Sequence, residues 1–84
     1  MNPVEIRVSI PPECPSVTLI RWHVPNGGRV ARDAPLCEIE FDVEFSGTIV
    51  ELPATVEGRV EHLVPVWTRV RDNQLLGWVM PGEH

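Results

Sequence analysis

Residues 20–30 read Ile20-Arg21-Trp22-His23-Val24-Pro25-Asn26-Gly27-Gly28-Arg29-Val30, and residues 60–70 read Val60-Glu61-His62-Leu63-Val64-Pro65-Val66-Trp67-Thr68-Arg69-Val70. At an offset of 40 residues, Val24-Pro25 falls on Val64-Pro65 and Arg29-Val30 on Arg69-Val70. Further on, Leu36 falls on Leu76 and Ile39 on Val79. Five identities at one ungapped offset mark an internal repeat, with half-repeats at about 16–39 and 56–79. Halves this short cannot each bury an apolar face, so they imply two interlocking sheets related by a pseudo-twofold axis.

The rest of the chain reads as strand and turn. Val4, Ile6, Val8 and Ile10 alternate with Glu5, Arg7 and Ser9, the period of a half-buried strand, which Pro11-Pro12 and Pro15 then end. A second strand is expected over about 17–24, closed by the turn Pro25-Asn26-Gly27-Gly28. Cys37, Ile39, Phe41, Val43 and Phe45 fall on one face of a long strand, with Glu38, Glu40, Asp42 and Glu44 on the other. A hairpin over about 37–54, turning at Ser46-Gly47, sets Phe45 opposite Thr48, Val43 opposite Val50, Phe41 opposite Leu52 and Ile39 opposite Ala54. No stretch carries a helical apolar stripe between caps.

Eighty-four residues, 43% of them hydrophobic, suit one small globular domain spanning 1–84. Twelve acids against seven bases give a net charge of −5, which disfavours nucleic acid and anionic membrane surfaces as partners. No apolar run is long enough to span a bilayer. Met1 to Glu5 lacks the layout of a secretory signal, so a cytoplasmic location and reduced Cys14 and Cys37 are expected. His23, His62 and His84 are scattered away from the cysteines, so no metal site is expected. All seven bases are arginine, and the chain contains no lysine.

In this order and spacing the fragments resemble the biotinyl/lipoyl carrier domain family over nearly the whole chain. Trp22-His23-Val24 followed by Gly28, Val30, Asp33 and Leu36 is similar to that family's first-half motif. Glu38-Ile39-Glu40-Phe41-Asp42 is similar to the run that leads into the modified lysine, and Pro53-Ala54-Thr55-Val56-Glu57-Gly58-Arg59-Val60 to the run that follows it. The resemblance implies an all-β fold, a flattened barrel-sandwich hybrid of two small antiparallel sheets. Leu36 and Leu76 would be its quasi-equivalent core residues, and Gly58 and Asn73 would sit at turns that want a positive φ.

The chain departs from the family at the functional centre. The lysine-equivalent position is Val43 counted forward from Glu38, or Gly47 counted back from Pro53, because the hairpin is about four residues longer. Neither residue has an amine, so an amide-linked biotin or lipoyl arm has no attachment point and no cofactor is expected. In the second half, Val66-Trp67-Thr68 replaces the usual glycine-containing turn.

Other chemistry is weaker. Ser46 reads as a turn residue and Cys37 as core, although either is the alternative attachment point for an acyl group or cofactor. Non-covalent cofactor binding is a further alternative. The carboxylates Glu38, Glu40, Asp42 and Glu44 read as solvated rather than as a calcium site. Trp67 either covers the open end of the barrel or anchors a protein partner. Phe41, Val43 and Phe45 on the long hairpin have the same two readings.

The expectation is therefore a non-enzymatic, unmodified relative of lipoyl domains. It would act as a protein-interaction or structural module with a protein partner or as a homodimer. The candidate surface is Phe41, Val43, Phe45, Ser46, Gly47 and Trp67. By family analogy its partners belong to 2-oxoacid dehydrogenase, glycine-cleavage or biotin-dependent carboxylase machinery.

Overall fold

The computed structural model describes residues 2–14, 16–43 and 46–82, with Ser16, Val43 and Ser46 described by their backbone alone. The described residues form β1 (Val4–Arg7), β2 (Ser16–Trp22), β3 (Arg29–Val30), β4 (Pro35–Val43), β5 (Ser46–Pro53), β6 (Gly58–His62), β7 (Thr68–Arg69) and β8 (Leu75–Pro81). They make two four-stranded sheets ordered β1-β8-β6-β3 and β5-β4-β2-β7, with every strand pair antiparallel. This is the pair of interlocking sheets that the repeat implies, in the all-β, flattened barrel-sandwich architecture that the resemblance implies.

The repeat is visible in the topology. Carried forward one half, β2, β3 and β4 become β6, β7 and β8, and the two sheets have the same order with β5 and β1 at corresponding edges. Each half lends its short strand to the other half's sheet. Val30 of β3 lies opposite Gly58 of β6, and Thr68 of β7 opposite Leu19 of β2. The burial pattern of residues 21–40 recurs over 61–80, differing only at Arg21/Glu61 and Pro35/Leu75. Turn bonds recur too: His23 N to Leu36 O and Leu63 N to Leu76 O, at 2.9 and 3.0 Å.

Between the sheets lies one core that includes Val17, Leu19, Leu36, Ile39, Val60, Leu76 and Val79. Leu36 and Leu76 are both buried, as the resemblance implies. Each sheet alone would leave this face in water, so the halves are stable only together. Trp22 and His62, one offset apart, stack between them with centroids 4.0 Å apart and planes at 11°. Trp22 Nε1 donates to Val64 O at 2.9 Å, and His62 Nε2 lies 2.7 Å from Val24 O.

Several expectations are corrected. β1 stops at Arg7, although Val8 remains buried and Ile10 packs against the core. β2 stops at Trp22 rather than near Val24. The β4–β5 pairing is shifted by four residues from the one expected, because the chain reverses before Ser46 rather than at Ser46-Gly47, with Val43 opposite Ser46, Phe41 opposite Thr48, Ile39 opposite Val50 and Cys37 opposite Leu52. A slip by an even number of residues leaves every side chain on the same face, so apolar alternation cannot detect it. Ala54 leaves the hairpin and is buried under the next turn, accepting from Asp33 N and donating to Ala34 O at 2.8 Å each. Asn73 has the expected positive φ, but Gly58 does not. Gly58 is required for space: a β-carbon there would collide with Met80 O on β8.

Candidate functional site: the hairpin and the second-half turn

The chain reverses between Val43 and Ser46, so Val43 stands at the end of the hairpin and Gly47 opposite Asp42. Phe45 lies outside the described residues, as do the side chains of Val43 and Ser46. Phe41 is half-buried and packs against the core, so it belongs to the scaffold more than to the surface. The exposed apolar residues of the hairpin are Ile49 (55% exposed) and Val50, on the free edge of β5. Sequence reasoning missed Ile49 because it sought the surface on the apolar face of the hairpin, whereas Ile49 lies on the other face, opposite Glu40.

Cys37 is fully buried, and desolvation pushes its thiol up to about 12. A neutral, enclosed thiol is neither nucleophile nor attachment point, which removes Cys37 as the alternative carrier residue. Of the outer-face carboxylates, Glu38 is engaged on the strand surface. His23 Nε2 lies 3.8 Å from Glu38 and 3.7 Å from Glu51, and Arg21 lies 3.8 Å from Glu38. Among the described residues no group of three His, Cys, Asp or Glu is placed to hold a metal ion.

The second-half turn is the unusual surface. Gly27 and Trp67 occupy the same position in the two halves, and both have positive φ, at 87° and 67°. Glycine takes that conformation freely, whereas a bulky side chain is strained there by about 1 kcal/mol or more. Trp67 N donates to Leu19 O at 2.6 Å, which holds the backbone in place. The ring does not cover the barrel end: Trp67 is 73% exposed, and that expectation is corrected. Leu63 and Val66 are exposed beside it in sequence, where the first half carries His23 and Asn26. The repeat alignment held the signal for Leu63 and Val66, since it puts apolar residues over polar ones at solvent-facing turn positions.

The hairpin and the turn are not one surface. β5 and β7 are the two opposite edges of the same sheet, with β4 and β2 between them. Three inter-strand steps separate those edges by about 14 Å. Along the strands, Trp67 stands at the level of Leu19 and Ile39, four residues from Val43.

Swapped short strands, matching sheet orders and a hairpin edge define a lipoyl/biotinyl-like fold. The chain is 32% identical over 84 residues to the dihydrolipoyllysine-residue succinyltransferase component of the 2-oxoglutarate dehydrogenase complex from Escherichia coli K12, a match over 98% of this chain. The corresponding component from Escherichia coli O157:H7 matches to the same extent. This likeness supports a lipoyl-like domain. The chain spans 20% of the length of these relatives. No family model matches the chain. No solved structure matches it. No helix in the described residues is long and apolar enough to cross a membrane.

Proposed function

We propose that this chain is an unmodified, non-enzymatic lipoyl-like module that works in the cytoplasm by binding a protein partner. The relatives are named as a component of a 2-oxoglutarate dehydrogenase complex, and the partner proposed here belongs to a multienzyme assembly of that 2-oxoacid dehydrogenase class. The observation that carries the reading is Trp67, an exposed indole held at positive φ where the other half uses glycine. An exposed aromatic next to Leu63 and Val66 in sequence, on a turn whose Trp67 N is bonded to Leu19 O, suits the apolar centre of a protein interface. The absence of lysine supports the unmodified state, since the lysine-equivalent positions Val43 and Gly47 offer no amine.

A second reading is a carrier that uses Ser46, whose backbone stands opposite Val43 at the hairpin end. Co-expression with lipoate and biotin ligases, followed by intact mass and peptide mapping, separates the two. The unmodified mass is expected. A lipoyl or biotinyl increment would overturn the main reading, and an acyl or phosphopantetheine adduct mapped to Ser46 in native material would favour the second.

A further inference from the structure

We propose that the groove between the β1–β2 connection and the β7–β8 turn binds a small organic carboxylate. The groove encloses a volume of about 500 Å³, within the range of small-molecule sites. Ile10, Val17 and Val70 supply its apolar lining, and the guanidinium-bearing Arg69 and Arg71 stand on one side. Neither guanidinium has a hydrogen-bond or ion-pair partner among the described residues, although the chain as a whole carries a charge of −5. Two unpaired arginines over an apolar floor match a ligand with one anionic head and a short apolar body. The planar guanidinium offers the paired donors that a carboxylate accepts.

The groove walls are held in place before any ligand arrives. Asp72 Oδ1 accepts from Ile10 N at 2.7 Å, Val70 N donates to Val17 O at 2.7 Å, and Asn73 N donates to Val8 O at 2.9 Å. Asp72 is the one acid lining the groove, and it opposes an anion there. An asparagine at that position keeps the amide oxygen that latches Ile10 while removing the charge. The groove also lies close to the hairpin end, because Val17 sits opposite Phe41, two residues before Val43. Its ligand would thus be held beside the place where the fold family carries its arm. This inference does not depend on the protein-docking turn, which occupies a different segment.

The test is a titration of the 84-residue chain with hexanoate, hexanamide and inorganic phosphate, followed by amide NMR shifts. Hexanoate is expected to shift Val17, Val70 and Arg71 saturably, with hexanamide at least tenfold weaker. The pair Arg69→Gln and Arg71→Gln should weaken hexanoate binding at least tenfold, and Asp72→Asn should tighten it about threefold. Equal binding of hexanamide, phosphate shifts matching those of hexanoate, or unchanged affinity in the arginine pair would overturn the proposal. Should the arginine pair fail to fold, an unchanged or weakened affinity in Asp72→Asn overturns it alone.

Discussion

Trp22 and His62, related by the internal repeat, stack face to face at 4.0 Å, and each ring nitrogen reaches a carbonyl of the other half. Val64 O accepts from Trp22 Nε1, and Val24 O takes the His62 Nε2–H, so the pair joins the halves near their symmetry axis. Removing either donor leaves a partly buried carbonyl without its partner.

Trp22→Phe and His62→Phe are each expected to cost about 1–2 kcal/mol of stability. Urea unfolding of both single variants and the double variant should give a coupling energy of about 0.5–1.5 kcal/mol. Simple additivity would show that the stack is geometric coincidence.

Trp67 lends itself to a comparison of two small replacements. Both Trp67→Gly and Trp67→Ala remove the exposed ring, but only glycine relieves the positive φ. Thermal or urea unfolding should find the glycine variant more stable than the alanine variant by about 1 kcal/mol. An alanine variant equal to or more stable than glycine would refute the strain.

Cys37 sets the alkaline limit of stability. Its folded thiol is raised to about 12 by burial, above its unfolded value, so the stabilisation is full below the unfolded pKa and is lost as pH rises toward 12. The chain has no Tyr or Lys side chain to titrate in that window. Stability should fall by on the order of 2 kcal/mol between pH 9 and 11, and Cys37→Val should flatten that slope. An identical slope in the variant would show that another group is responsible.

Much of this fold is written in the sequence because the repeat and the apolar alternation report the same thing. Val24, Val30 and Leu36 and their counterparts Val64, Val70 and Leu76 are all core residues, as their shared spacing implies. What escaped was anything a face pattern cannot encode. The hairpin register slips by four residues without moving a side chain to the other face. Gly58 answers to Met80 across the sheet, and the close approach of those strands has no local sequence mark. Ile10 and Asp72 meet across 62 positions, so the groove they latch has no motif to announce it. The absence of lysine, by contrast, is complete in the sequence, and the exposure of Trp67 is what the structure adds to it.

The most direct measurement is recovery from extract of the source organism on the immobilised 84-residue chain, comparing wild type, Trp67→Gly with Leu63→Ser, and Ile49→Ser. Wild type and Ile49→Ser are expected to retain a component of a 2-oxoacid dehydrogenase-type complex, identified by mass. The folded Trp67→Gly, Leu63→Ser variant should lose at least nine-tenths of it, roughly the tenfold effect of one interface hot spot. Equal recovery by that variant, or recovery of nothing but a second copy of the chain, would contradict docking through the second-half turn.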